Sequence, residues 1–115
     1  MDVLFATEEL ETVLARRATR VAHFGPEAAA YVDLRLQQLW AAPNLAEMRR
    51  LPGRCRELDG DPHCGLAVDA RKHQLLFRPA LDPIPRVRGH LAWEAVDRIM
   101  ITEIVDDHRP RRSST

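Results

Sequence analysis

Residues 51–69, LPGRCRELDGDPHCGLAVD, mark the point at which the hydrophobic pattern of the chain changes. Before Pro52, apolar residues recur at helical spacing. After it they fall into short runs of branched and apolar residues bounded by Gly, Asp and Pro. Pro52 and Gly53 also end a helix, because Pro cannot continue it and Gly suits its last turn. The stretch therefore predicts a helical first half and a β-rich second half, which is an α+β domain.

The second half of the chain contains the candidate strands. Residues 81–93 (LDPIPRVRGHLAW) carry two prolines and are predicted to form a loop. A short helical turn is expected over residues 93–96. The other connections are compact, so we expect the first three strands to form an antiparallel meander. The four candidate strands are residues 54–58 (RCREL), 66–70 (LAVDA), 74–79 (QLLFRP) and 98–105 (RIMITEIV).

The first half of the chain contains two long candidate helices. Thr7 is a suitable N-cap for a helix that continues to Phe24. Gly25 and Pro26 end that helix and begin the next, over residues 26–42. These features predict an N-terminal helical hairpin packed on an antiparallel β-sheet of at least four strands.

Two shorter elements flank the hairpin. Residues 2–5 (DVLF) are apolar and suit a first strand or a strand-like lead-in. Asn44 and Glu47 have the spacing of a capping box and predict a short helix over residues 45–50.

Composition and charge exclude several classes of protein. A chain of 115 residues forms one domain, which we assign to residues 1–110, with a disordered basic tail over 111–115. Lys+Arg and Asp+Glu both number 17, so net charge gives no argument for a nucleic-acid or membrane partner. No run approaches the roughly 18 apolar residues of a membrane span, and no signal peptide is recognisable. We therefore expect a cytoplasmic protein with no membrane partner.

Metal and cofactor sites are weakly indicated. There is no Gly-rich phosphate loop and no serine nucleophile elbow, so we expect no cofactor. Most His and Asp residues in such turns, and most cysteines in such strands, do not bind a metal. We therefore expect no metal site. We also expect both cysteines to be reduced, with a disulfide as the alternative. The possible ligands are Cys55, His63 and Cys64 in one set, and Asp59, Asp61 and Asp69 in another.

Basic residues at the ends of the candidate strands are the remaining feature. Arg54 and Arg56 occupy alternate positions of one strand and so face the same side. If the sheet is antiparallel in chain order, several basic groups gather on one concave face, where they suit a phosphodiester backbone. A solvated charged surface is the alternative. The other members of this set are Arg71, Lys72, His73, Arg78, His108 and Arg109.

The order of these features resembles the RelE/HigB toxins of bacterial toxin–antitoxin pairs, in particular the plasmid-maintenance killer proteins. The likeness runs from about Val3 to His108 and is carried by residues 45–69 and 101–108 (ITEIVDDH). It implies helices packed on an antiparallel sheet and ribosome-dependent cleavage of mRNA without a metal ion. It also implies a cognate antitoxin, a small helix-turn-helix protein encoded nearby.

The resemblance also implies the chemistry. The 2′-hydroxyl of the RNA displaces the 5′-oxygen and leaves a cyclic phosphate, while the protein orients the phosphate, neutralises its developing charge and moves two protons. The residues that this implies are His108, His73 and Asp106 for catalysis, and Arg54, Arg56, Arg71, Lys72, Arg78 and Arg109 for RNA binding.

Three positions depart from the family's pattern. The terminal Asp-Tyr-His motif has Asp107 in place of Tyr, the first hairpin has Asp59 where a basic residue is common, and Gln74 occupies the position of a phosphate-binding Arg. A proton-transfer group typically contributes about 10²–10⁴-fold to rate and a charge-stabilising donor about 10²–10³-fold. The alternative function is therefore a catalytically degenerate relative that binds the antitoxin or acts as a co-repressor. A stand-alone RNA-binding domain is the third possibility.

Overall fold

The computed structural model describes residues 1–61 and 63–106, which form helices and a mixed β-sheet. The predicted α+β class is confirmed. Two 3₁₀ helices, Leu45–Arg50 and Trp93–Ala95, join the longer elements, and the second confirms the helical turn expected after the loop. The other elements are β1 Asp2–Phe5, α1 Glu8–Leu14, α2 Arg17–Phe24, α3 Pro26–Ala41, β2 Arg56–Glu57, β3 Leu66–Ala70, β4 His73–Pro79, β5 Arg86–Val87, β6 His90–Leu91 and β7 Arg98–Asp106.

The main sheet has the strand order β1-β7-β4-β3-β2. Strands β2, β3 and β4 form the predicted antiparallel meander, and β7 pairs antiparallel with β4. Strand β1, however, pairs parallel with β7, with Val3 opposite Ile99. The prediction of a wholly antiparallel sheet is therefore wrong. The pattern of DVLF does not specify the direction of pairing, because a short apolar strand fits a parallel or an antiparallel neighbour equally well.

The core lies between the helices and one face of the main sheet. Successive strand residues point to opposite faces, so alternate apolar residues of β3, β4 and β7 are buried against the helices. From the helical side, α3 contributes Val32, Leu36 and Leu39, all fully buried. This alternation fixes which side chains remain on the opposite face. The inward-facing strand residues are Leu66, Val68, Ala70, Leu75, Phe77, Ile99 and Ile101.

The first predicted helix is broken. The sequence predicts one helix over residues 7–24, but α1 ends at Leu14 and Arg16 adopts an extended conformation with φ −133° and ψ 150°. The Arg20 guanidinium donates to the main-chain oxygen of Leu14 at 2.6 Å. A carbonyl at the end of α1 therefore finds its partner in a side chain of α2 instead of in a further helical turn.

The predicted helix boundaries are partly confirmed. The Thr7 hydroxyl accepts a hydrogen bond from the amide of Leu10 at 3.1 Å, so Thr7 is the N-cap. Gly25, with φ +86°, separates α2 from α3, which begins at Pro26 as predicted. Together α2 and α3 form the predicted helical hairpin.

The predicted capping box at Asn44 is wrong. The Asn44 side chain makes no cap hydrogen bond, and its Oδ1 is buried without a partner among the residues that the structure describes. The amide of Glu47 donates instead to the main-chain oxygen of Asn44 at 3.3 Å, as the tighter 3₁₀ geometry favours.

Two predictions in the second half need correction. Of the candidate strand over residues 54–58, only Arg56 and Glu57 pair with β3. Arg54, with a positive φ of 52°, lies before the strand, and the amide of Leu58 donates to Gly65 O at 2.8 Å just outside it. The predicted loop over residues 81–93 contains the small antiparallel hairpin β5–β6. Within the described part of the chain, no helix is both long and apolar enough to cross a membrane.

Candidate functional site

The face of the sheet opposite the helices carries polar side chains next to the apolar Ala67 and Leu76, and Asp69 of β3 is the centre of its hydrogen bonding. We call this surface the polar face; it comprises Arg54, Arg56, Asp69, Gln74 and Arg78. The Asp69 Oδ2 accepts from Arg54 Nε at 2.9 Å, and Arg54 Nη2 lies 2.8 Å from the same oxygen. The Asp69 Oδ1 accepts from Arg56 Nη1 at 3.2 Å and from the Gln74 amide at 3.4 Å. One carboxylate therefore orients two guanidiniums and one amide.

The main chain of Asp69 is held as firmly as its side chain. Its amide donates to Gly53 O at 2.7 Å, and its carbonyl oxygen accepts from Arg35 Nε at 2.6 Å. Gly53 has φ +112°, and a Cβ there would lie 2.8 Å from Val68 Cγ2 and 2.9 Å from Arg35 Nε. Only glycine fits this turn without a shift of its neighbours. The turn and α3 together therefore fix the position of the Asp69 carboxylate.

The two arginines keep hydrogen-bonding capacity beyond Asp69. The Arg54 side chain is 73% exposed and that of Arg56 is 33% exposed. Each guanidinium has five N–H donors in a planar fork that matches a phosphate. With one carboxylate between them, this part of the polar face carries one net positive charge. A phosphate bound here would share the guanidiniums with Asp69 or displace it.

Arg78 lies on the same face but apart from Asp69. It is four residues beyond Gln74 in β4, or about 13 Å along the strand. Its Nη2 is 3.6 Å from Met100 Sδ in β7. A chain of phosphates, rather than a single one, would be needed to contact both Arg54 and Arg78.

His73 and Asp106 lie on the helix side of the sheet. They are opposite each other in the β4–β7 pair, and with Phe24, Gly25 and Lys72 they line a cleft at the α2–α3 turn, which we call the helix-end cleft. The His73 ring packs edge-on against Phe24, with ring centroids 5.2 Å apart. Its Nδ1 is buried and has no hydrogen-bond partner within residues 1–61 and 63–106.

Arg71 also turns toward the helices. Its Nη1 donates to the Tyr31 hydroxyl at 3.0 Å, and its Nη2 lies 3.7 Å from Glu27 of α3. Arg71 has φ +62° at the β3–β4 turn, which directs the chain back toward β4. Its guanidinium is therefore engaged by α3.

The structure thus divides the predicted residues into two groups on opposite sides of the sheet. Arg54, Arg56 and Arg78 lie on the polar face, whereas Arg71 and the residues of the helix-end cleft lie on the other side. The expected gathering on one concave face is not observed, because consecutive strand residues such as His73 and Gln74 point in opposite directions. His108, Arg109 and the predicted tail over 111–115 lie outside the described residues.

The two cysteines are free thiols, as expected. Burial raises the pKa of the Cys55 thiol to about 12, against the opposing effect of the Arg49 and Arg56 guanidiniums. Since the thiolate is the reactive form, Cys55 is a poor nucleophile and a poor metal ligand at neutral pH. In the described ranges, no three His, Cys, Asp or Glu side chains are close enough to share a metal ion.

A further basic element was not predicted from the sequence. The β5–β6 hairpin exposes Arg86, Arg88 and His90 within the segment that its two prolines marked as a loop. Trp93, two residues beyond the hairpin, donates from Nε1 to Glu57 Oε2 at 2.8 Å. The sequence signal was a single Gly at the centre of RVRGHL, which suits a two-residue hairpin turn.

No protein-family model matches the chain, and neither the curated proteins nor the solved structures include a significant match to it. The resemblance to RelE/HigB toxins therefore stays a prediction from the sequence. A fold by itself does not establish an activity.

Proposed function

We propose that this protein is a RelE/HigB-type toxin of the cytoplasm that binds mRNA on the ribosome through the polar face and cleaves it. The observation that supports the proposal is the pair of neighbouring guanidiniums, Arg54 and Arg56, held in a fixed orientation by Asp69. Oriented guanidiniums bind phosphodiesters well, because their donors need little reorganisation. His108, two residues after the end of β7 in the sequence, would supply the titratable group.

In the proposed reaction the RNA supplies its own nucleophile. The 2′-oxygen forms a bond to phosphorus, and the bond from phosphorus to the 5′-oxygen breaks. The proton of the 2′-hydroxyl passes to a base, and the leaving 5′-oxygen takes up a proton. Arg54 and Arg56 would neutralise the charge that develops on the phosphate oxygens, and His108 would transfer a proton.

A second candidate function is favoured by the contacts of Asp69. Its carboxylate engages both arginines, and Gln74 beside it supplies an amide where the family carries a cation. A protein with this polar face, and with Asp107 in the terminal motif, could keep the fold and the antitoxin surface without cleaving RNA. It would then act as an antitoxin-binding or co-repressor protein.

Both functions require the same partner. We propose a cognate antitoxin, a small helix-turn-helix protein encoded nearby. Because such a partner binds the folded state only, it would raise the melting temperature by an amount that grows with the logarithm of its concentration relative to its Kd.

The decisive experiment is expression in cells with and without the neighbouring gene, with cleavage of ribosome-bound mRNA mapped by primer extension. We expect the wild type to arrest growth and cut mRNA, and the antitoxin to prevent both. The double variant Arg54→Ala/Arg56→Ala should lose about 10²–10³-fold in cleavage rate. His108→Ala should lose about 10²–10⁴-fold.

The matched control is Arg16→Ala/Arg17→Ala, which removes two exposed arginines from the α1–α2 junction and should cleave normally. Wild-type protein that binds the antitoxin but leaves mRNA intact would reject cleavage in favour of the non-catalytic function. In that case Asp107→Tyr, which restores the family's aromatic residue, should also fail to produce activity.

A further inference from the structure

The β5–β6 hairpin is a basic element. The nearest acidic residues in the sequence are Asp82 and Glu94, on either side of it. Arg86, Arg88 and His90 are all exposed, and among the described residues neither arginine forms an ion pair. In a chain of zero net charge, such a segment is a local concentration of positive charge.

At the tip of the hairpin, Arg88 occupies a turn position at which Gly, Asn or Asp is usual. Arg88 and Gly89 have φ +54° and φ +83°, the signs of a type I′ two-residue turn. Gly, Asn and Asp adopt such conformations readily, whereas a long side chain does so at a cost. Positive φ at a residue other than Gly, Asn or Asp often accompanies a functional role.

The hairpin is anchored, so its charges are presented from a fixed base. Leu91 is 6% exposed and belongs to the main core, and Ala92 N donates to Pro85 O at 3.0 Å. Trp93 is 5% exposed and bonds to Glu57 of β2. The Arg49 guanidinium carbon lies 3.7 Å from the centroid of the Trp93 ring. These contacts join the hairpin to the edge strand that follows Arg54.

The hairpin also offers an apolar and a planar group, on the face opposite that of Arg86. Val87 and His90 are directly opposite each other in the β5–β6 pair, so their side chains share one face, whereas Arg86 pairs with the buried Leu91 and lies on the other face. Val87 is 59% exposed. Single-stranded RNA presents phosphates together with unstacked bases, and a combination of guanidinium, imidazole and apolar groups suits both parts. An acidic peptide would need only the charges.

We infer that the β5–β6 hairpin is a second RNA-contact site, in which Arg86 and Arg88 bind phosphates and His90 and Val87 contact a base. The inference rests on the proposed function for the identity of the ligand as RNA. It extends that function by giving the protein a contact with RNA outside the polar face. The hairpin takes no part in the bond-breaking step.

The test measures binding of the full chain to a fluorescent single-stranded 2′-O-methyl RNA, which cannot be cleaved because its 2′-oxygen is blocked. Fluorescence anisotropy gives Kd over a range of salt concentrations. Each phosphate contact to a single strand contributes about 0.7 to the slope of log Kd against log salt concentration. Arg86→Ala/Arg88→Ala should therefore reduce that slope by about 1.4, and Val87→Ala/His90→Ala should weaken binding with little change of slope.

The matched control is again Arg16→Ala/Arg17→Ala, which removes the same charge from another exposed site. Equal loss of slope in the control and in Arg86→Ala/Arg88→Ala would overturn the inference, as would no binding by the wild type. Competition by polyglutamate as strong as competition by unlabelled RNA would overturn it in favour of an acidic protein partner. Equal melting temperatures would show that the exposed substitutions leave the fold intact.

The two proposals can fail separately. Normal cleavage of ribosome-bound mRNA by Arg86→Ala/Arg88→Ala, with an unchanged salt slope, would reject the hairpin site and leave the proposed function standing. If the wild type cuts no mRNA but the Arg86→Ala/Arg88→Ala variant has a smaller salt slope than the wild type, the result would reject cleavage and support the hairpin site.

Discussion

At the scale of single residues, Asp69 determines how Arg54 and Arg56 are oriented. Its carboxylate is 20% exposed, and its main chain is fixed from both sides by Gly53 and Arg35. A carboxylate in this position resembles a bound phosphate in charge and in the geometry of its acceptors. Asp69 therefore competes with RNA for the two guanidiniums and also fixes their orientation.

The first prediction is that Asp69→Asn strengthens RNA binding. The substitution keeps the side-chain shape but removes the negative charge beside Arg54 and Arg56. We expect binding to tighten about fivefold, equivalent to about 1 kcal/mol for one partly exposed pair of charges. Because Arg54 is largely exposed, the free energy of unfolding should change by less than about 1 kcal/mol.

Anisotropy with the 2′-O-methyl RNA measures the affinity, and urea denaturation measures the stability. The control is Asp59→Asn, which removes the same charge from an exposed turn. Weaker binding by Asp69→Asn would show that the carboxylate serves to position the arginines and does not compete with RNA.

The second prediction concerns the reactivity of Cys55. A pKa raised from 9.0 to about 12 lowers the thiolate fraction at pH 8 by roughly a thousandfold. Alkylation by iodoacetamide, followed by mass spectrometry of the Cys55 peptide, should be at least a hundredfold slower in native protein than in urea. Comparable rates in the two states would contradict the burial of the thiol.

The same shift predicts the sign of a pH effect on stability. The unfolded thiol ionises near pH 9, whereas the folded thiol keeps its proton until about pH 12. The contribution of Cys55 to stability is therefore complete below pH 9 and is lost as the pH rises toward 12. Cys55→Ser should remove this part of the loss of stability at alkaline pH.

At the scale of secondary structure, Arg20 joins the three helices. Its Nη1 donates to the main-chain oxygen of Leu14 in α1, and its Nη2 lies 3.0 Å from Asp33 Oδ1 in α3. The side chain is 9% exposed, so these contacts are made largely out of water. Arg20 therefore stabilises both the break between α1 and α2 and the packing of α2 on α3.

The third prediction is that Arg20→Met lowers the free energy of unfolding by about 2 kcal/mol, because the Leu14 carbonyl loses its donor and Asp33 loses its partner. Urea denaturation monitored by circular dichroism measures this value. Arg17→Met, an exposed substitution in the same helix, should change it by less than about 0.5 kcal/mol. An Arg20→Met protein as stable as the wild type would show that apolar packing replaces the ion pair without loss.

At the scale of the whole molecule, the main sheet has an extensively paired centre, whereas the β5–β6 hairpin is a separate, short two-stranded sheet. Strands β4 and β7 pair along most of their length and bury Leu75, Phe77, Ile99 and Ile101 almost completely. The β5–β6 hairpin has only two paired positions on each strand and is exposed along most of it. The proposed RNA contacts thus lie on the polar face of the main sheet and on the separate hairpin.

The fourth prediction follows from this difference. Hydrogen exchange of backbone amides should be slowest in the centres of β4 and β7, where opening requires nearly global unfolding. Amides of the β5–β6 hairpin should exchange orders of magnitude faster. Mass spectrometry of peptic fragments can compare the segments. Exchange in β7 as fast as in the hairpin would contradict the described pairing.

The sequence by itself determined the features that depend on neighbouring residues. Thr7 as N-cap, the boundary at Gly25 and Pro26, and the meander after Pro52 follow from capping, backbone restriction and hydrophobic period, which act over a few residues. The separation of an apolar and a polar strand face follows from the same alternation. Of the candidate site, the common location of Arg54 and Arg56 was predicted, but alternation is not its cause, because Arg54 lies before the strand and reaches Asp69 from a turn with positive φ.

Only the tertiary structure decided the features that join distant segments. The parallel pairing of β1 with β7, the helix break supported by Arg20, and the engagement of both arginines by Asp69 depend on which elements meet after folding. The division of the predicted residues between the polar face and the helix-end cleft depends on register, which a shift of one residue would invert. Such contacts depend on pairing and packing across the whole chain, so no local pattern specifies them.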